Sequence, residues 1–283
     1  MLLQTKQRNI AIEDLNRKLR LENIFSNELR PIFNRINRDF RTTYAGTGRI
    51  LDFSNYQPDV STVLRRHYER TQRVFRGRIA EQNEKMIQSL QIKQTEDEET
   101  LIGLGLLNWL NLRLETQPQV IIDTTDREAR MAVEQARQDL IEQNEEVTPV
   151  SLAIGSSVIN RRRLMGRIPG ISITETQAAA ESTKQIEAEV LSGRMPFTAP
   201  IDPFALTRPR RVEIAPSTKQ WITVADDRVR PSHVAADRQT VPIDDAFIVG
   251  GAQMRHPGDI TLGAPIQEWI NCRCSSNINI EGF

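Results

Sequence analysis

KQWITVADDRVRPSH (219–233), VPIDDAFIVGG (241–251), MRHPGDITLGAP (254–265) and EWINCRCSSNINI (268–280) differ in texture from everything before them. Trp221, Ile222 and Val224 are strand-forming residues that run into an Asp226–Asp227 turn. Phe247, Ile248 and Val249 make a second short run, ended by Gly250 and Gly251. Trp269 and Ile270 lead into two cysteines, and Ile278 and Ile280 continue an extended edge. These runs predict a small strand-containing module over 201–283.

Upstream the period changes to that of helices. Ile10, Ile12, Leu15, Leu19, Leu21 and Ile24 recur at mixed three- and four-residue spacing among Arg and Lys, with Pro31 as a break. Residues 41–61 read as a connector. From 63 to 92 a second helix is expected on Val63, Leu64, Tyr68, Val74, Phe75 and Ile79; His67 within it reads as a surface or core-edge residue. The acidic run TEDEET (95–100) reads as a solvated turn. Thr125 with Glu128 three residues on has the form of a capping box, so a helix should begin there and bury Ala129, Ala132, Val133, Ala136 and Leu140. Pro169–Gly170 should end the stretch RRRLMGRIP (161–169), and a further helix should start near Thr174 and run to Leu191. Four prolines between Ser192 and Pro216 mark an irregular connector. The expected fold class is α+β, an extended, mainly α-helical N-terminal part followed by a small C-terminal α+β domain. The expected division is 1–118, 119–200 and 201–283.

The chain has 283 residues, hydrophobic residues at 39% and aromatic residues at 5%, so a large aromatic core is not expected. Lys+Arg and Asp+Glu both total 37. This zero is a cancellation: residues 1–50 are net +5, 51–150 net −6 and 151–283 net +1. Overall basicity is absent, but a basic arm is present. The N-terminus lacks the apolar run of a secretory signal, and 101–112 is far short of the roughly 20 residues of a membrane span. A soluble protein of a reducing compartment, with no membrane partner, is expected.

His233, His256, Cys272 and Cys274 are both cysteines and two of the three histidines, gathered within about fifty residues. On extended backbone the side chains at i and i+2 share a face, so both thiolates can reach one ion. Two imidazoles would complete a tetrahedral set suited to a structural zinc ion. Buried apolar thiols with two hydrogen-bonding histidines, or redox or nucleophilic cysteine chemistry, are the other readings of the same residues. The clusters Arg161, Arg162, Arg163 and Arg208, Arg210, Arg211 are candidate DNA contacts through phosphate charge, or ordinary solvated surface.

The order TTDREARMAVEQA, ISITET, KQWITVADDRVRPSH, HPGD, GAP and NCRC resembles the phage Mu F-like head morphogenesis family, the minor head proteins of tailed phages. The resemblance covers about 120–280. Its matched positions are Thr174, Glu175, Trp221, Asp227, Arg228, Arg230, His233, Pro257, Gly258, Asp259, Asn271, Cys272, Arg273 and Cys274. Ile173 stands where the family often has Arg, and Arg238 where it commonly has Gly. The resemblance implies a non-enzymatic structural virion protein, a portal-associated minor capsid protein inside the head near the portal. It would contribute to head morphogenesis and to DNA packaging and ejection. Residues 1–118 would then be a helical arm docking on portal or major capsid protein, and 119–200 the helical part of the Mu F-like domain. Packaged double-stranded DNA is a further expected partner, and the host cytoplasm the place of assembly. The alternative is an enzyme, a toxin-like transferase or hydrolase using Glu175, Asp227, Arg228 and His233.

Overall fold

The computed structural model of the protein describes residues 2–82, 96–198 and 217–280. It is α+β and 69% helical, with a long helical N-terminal part and a few antiparallel strands near the C-terminus. The order is α1 (Leu2–Thr47), a short 3-10 turn (Phe53–Tyr56), α2 (Gln57–Phe75), α3 (Arg78–Gln82), α4 (Glu96–Glu142) and α5 (Pro149–Leu191). There follow β1 (Thr218–Ile222), α6 (Pro231–Ala236), β2 (Thr240–Pro242), β3 (Phe247–Val249), β4 (Ala252–Met254), α7 (Ile266–Trp269) and β5 (Ser275–Asn279). No described helix is long and apolar enough to cross a membrane.

The chain forms two compact units built from interleaved segments: Met1–Leu21, Tyr68–Asn111 and Ile173–Phe283 in the first, Glu22–His67 and Leu112–Ser172 in the second. This differs from a linear division at 118 and 200, because the long helices cross from one unit to the other. In the second unit Phe25, Leu29, Phe33, Ile36 and Phe40 of α1 are buried, as are Val60 and Leu64 of α2. His67 is buried too, its ring stacked 4.1 Å from Phe25, rather than lying at the surface. Ala129, Ala132, Val133, Ala136 and Leu140 of α4 are buried as expected. A Cβ on Gly155 would lie 3.2 Å from that of Ala136, so the glycine permits a close approach of α5 to α4.

Several expected helix boundaries are absent. Pro31 and Pro169 lie inside α1 and α5, which continue through them; buried side chains lie on both sides of each missing N–H. The hydroxyls of Thr124 and Thr125 donate back to the carbonyls of Val120 and Ile121 at 2.7 Å, which is mid-helix bonding and not a cap. Thr174 likewise lies within α5. The connector shortens to 48–52, with Asp52 capping the 3-10 turn through the Ser54 N–H. α2 ends at Phe75 and Gly77 (φ 80°) precedes α3; the rest of the expected helix to 92 lies outside the described residues. TEDEET is helical from Glu96, and Glu98 is buried. On α1 the buried face is Ala11, Asp14, Lys18 and Leu21, while Ile12, Leu19 and Ile24 are exposed.

That face explains the first unit. From Thr174 to Leu191 almost every side chain of α5 is buried, although the segment is rich in Glu, Gln, Ser and Lys. Buried charge is tolerated only when paired and fully hydrogen-bonded. Glu181 accepts from Lys18 Nζ at 2.6 Å, from Ser276 N–H at 2.9 Å and from Ser276 Oγ at 2.6 Å, and pairs with Lys184 at 2.9 Å. Asp14 accepts from Lys184 Nζ at 3.0 Å and from Arg78 Nε at 2.7 Å. Burial alone would push both carboxyls up, but the lysines hold them below the usual carboxylate range. The network ties α1, α3, α5 and β5 together.

In the three-stranded antiparallel sheet, order β2–β1–β5, Lys219 faces Val241 on one side and Ile278 on the other. The β3–β4 hairpin turns at Gly250 and Gly251, both at positive φ as a two-residue turn requires. Trp221, Phe247, Val249, Met254, Cys272 and Cys274 share one small apolar core.

Candidate metal centre

α6 is a six-residue helix with extended Arg230 at its N-cap and Pro231 at the first position. It aims His233 inward, where the ring meets Trp221 edge-on at 5.4 Å. Opposite lies the segment after α7. Asn271 takes a positive φ of 53° and donates its N–H to Thr174 Oγ1 at 3.1 Å. The carbonyl of Cys274 accepts from Gln177 Nε2 at 2.7 Å and from Lys18 Nζ at 3.3 Å. The cysteine segment is thereby pinned from α5 and α1, and Arg230 also donates to the carbonyl of Ile270.

Both thiols turn to the same side and meet His233. Its Nδ1 is 3.3 Å from Cys274 Sγ and 3.8 Å from Cys272 Sγ, and the three donor atoms all lie within 4.8 Å of one another. Zinc-type bonds of about 2.0–2.1 Å to nitrogen and 2.3 Å to sulfur put a tetrahedral N···S edge at about 3.5 Å. The donor set therefore fits an ion. The other ring nitrogen, Nε2, lies 3.3 Å from Glu268 Oε2, and that oxygen accepts from Ser232 Oγ at 2.8 Å. A carboxylate behind a histidine is the usual support of a metal-ligating ring. Gly250 makes room for it: a Cβ there would lie 2.8 Å from Glu268 Cδ.

The electrostatics agree with this geometry. Burial pushes the Cys272 thiol up, but hydrogen bonding with Cys274 and His233 outweighs it and holds the thiol well below its ordinary range. Cys274 is pushed up by its hydrogen bond with Cys272 and by burial. Burial pulls His233 down, yet Cys272 raises it above its ordinary value. The group His233, Cys272 and Cys274 could hold a metal ion.

His256 is not part of this group. Its Nε2 is 3.0 Å from Ser182 Oγ, its Nδ1 faces the Pro257 carbonyl, and its ring packs near Phe197. Beside the three donors is a cavity of about 320 Å³, bordered by Asp226, Arg228, Arg230 and Arg273.

The remaining site residues fall into three kinds. Asp259 accepts from the N–H groups of Arg255 and Thr261, both at 2.8 Å. Gly258 has φ 82°, and a Cβ on it would meet Gln177. Glu175 accepts from the Tyr68 hydroxyl at 2.6 Å, Arg228 pairs with Asp226 at 2.6 Å and Asp227 is exposed; of the four residues of the enzymatic reading, Arg228 and His233 line the same cavity. Arg161 and Arg162 are exposed, whereas Arg163 pairs with Glu128 at 2.9 Å. Arg208, Arg210 and Arg211 lie outside the described residues. Sequence reasoning missed Glu268 and Gln177. Glu268 stands four residues before Cys272 in the same motif, a usable signal; Gln177 carries none.

No protein-family model, curated protein or solved structure matches the chain.

Proposed function

We propose that the chain is a structural minor head protein of a tailed phage, sited inside the capsid near the portal and contributing to head assembly and DNA packaging or delivery. We assign a structural zinc ion to His233, Cys272 and Cys274. The observation that carries this reading is the use made of the residues behind the Mu F-like resemblance. Thr174 and Arg230 bond the backbone of Asn271 and Ile270 just before Cys272, and Asp259 accepts from the N–H groups of Arg255 and Thr261 in its own loop. Such a set builds a scaffold. Two thiolates and one imidazole are the soft donors that suit zinc, and a small apolar core around them gains a staple. The exposed Arg161 and Arg162 support phosphate contact without sequence reading.

The test is the particle itself. Mass spectrometry of purified heads from the encoding phage should find the chain at low copy number, and heads assembled without it should be reduced in DNA content or infectivity. Heads that lack the chain in the wild type would overturn the reading.

A further inference from the structure

Four-coordinate metal sites that serve only structure are closed by four protein donors, whereas sites with three protein donors keep a position for an exogenous ligand. Among the described residues the donor group has three members. His256, the fourth candidate by sequence, is engaged with Ser182. All three donors border the 320 Å³ cavity, a volume within the range of small-ligand sites. Its wall is strongly basic: Arg228, Arg230 and Arg273 against the single carboxylate of Asp226. Arg228 already satisfies that carboxylate, at 2.6 and 3.0 Å. Arg230 uses one Nη for the Ile270 carbonyl, and a guanidinium carries five N–H groups. Forked guanidinium donors beside the metal position match the planar or tetrahedral oxygens of a carboxylate or phosphate.

We propose that the His233–Cys272–Cys274 centre keeps an open position toward this cavity, and that the oxyanion of a small carboxylate- or phosphate-bearing ligand takes it, held by Arg230. The inference rests on the metal reading above and extends it from a staple to a ligand site. It also separates two roles for the arginines. Arg228 neutralises Asp226, while Arg230 recognises the ligand.

Cobalt(II) is the probe, because its thiolate charge-transfer band reports the cysteines and its weaker visible bands report coordination. The full-length chain is loaded with one equivalent of Co²⁺ and titrated separately with acetate and with inorganic phosphate, at constant ionic strength held by perchlorate. A saturable change in the visible bands with the charge-transfer band retained is expected. Response to acetate alone assigns a carboxylate ligand, and response to phosphate alone a phosphate ligand. Arg230→Gln should weaken that anion about tenfold, with cobalt still bound as evidence of an intact fold. Bound cobalt whose visible bands ignore both anions overturns the open position and leaves the metal reading standing. A changed cobalt spectrum in anion-free Asp226→Asn would make Asp226 the fourth ligand and overturn the proposal equally. Absence of the charge-transfer band removes the metal reading, and this inference with it.

Discussion

Arg238 adopts φ 66°, a left-handed conformation that costs an L-residue roughly 1–2 kcal/mol and glycine almost nothing. Its N–H donates to the Trp221 carbonyl at 2.7 Å, so the turn cannot relax without loosening β1. Arg238→Gly should therefore stabilise the protein by about 0.5–1 kcal/mol, read as a higher urea midpoint at unchanged m. A lower midpoint would contradict the strain argument. Glu187 and Glu189 offer a second residue-level test, since burial pushes both carboxyls up to about 7. Glu187 faces the Ile79 N–H, Arg76 and Glu81; Glu189 faces Gln185, the Phe197 N–H, Lys219 and Arg255. Between the ordinary 4.5 and about 7 the folded chain keeps protons that the unfolded chain has lost, so unfolding free energy falls as pH rises through that window. Glu187→Gln should flatten the fall and raise stability at pH 8 by roughly 1–3 kcal/mol. An unchanged pH slope would contradict it.

At the scale of elements the decisive feature is the C-terminal half of α5, a polar helix buried on nearly every side. Lys184 bridges Asp14 and Glu181, so Lys184→Met should cost about 3 kcal/mol or more by leaving buried carboxylates short of a cation. The double variant with Glu181→Gln should cost less than the sum of the single changes; simple additivity would show that the two residues do not act as a unit. This is also where the sequence is least legible. Periodicity finds buried faces by their apolar residues, and here the face of α1 that packs inward carries Asp14 and Lys18. Their partners stand up to 261 residues away, at Ser275. Helix continuity is hidden for a related reason: Pro31, Thr125 and Pro169 carry boundary signals that burial on either side overrides. The strands are legible, because Trp221–Ile222 and Phe247–Val249 are aromatic and β-branched runs bounded by turn residues. So is most of the candidate site, since the two-residue spacing of Cys272 and Cys274 lets both thiols meet one histidine. His256 misleads because closeness in sequence says nothing of where the β3–β4 hairpin delivers it.

For the whole molecule, the neutral total charge conceals its distribution. The proposed phosphate contact uses Arg161 and Arg162, which are exposed, while Arg163 is already paired. Replacing both exposed arginines with Ala should lower the salt-dependence slope of duplex binding by about 1.8, near 0.9 for each phosphate no longer neutralised. An unaltered slope would remove these residues from the interface. The first unit draws its three segments from the beginning, middle and end of the chain, and the cysteine segment lies where α1, α5 and α6 converge. Everything proposed for this protein's chemistry depends on that convergence holding a metal. The most direct measurement is elemental analysis of freshly purified full-length protein, beside a Cys272→Ser variant of matched circular dichroism. One zinc per chain in the wild type, lost in the variant, is the predicted result. Metal-free wild type, or zinc retained without Cys272, would contradict it.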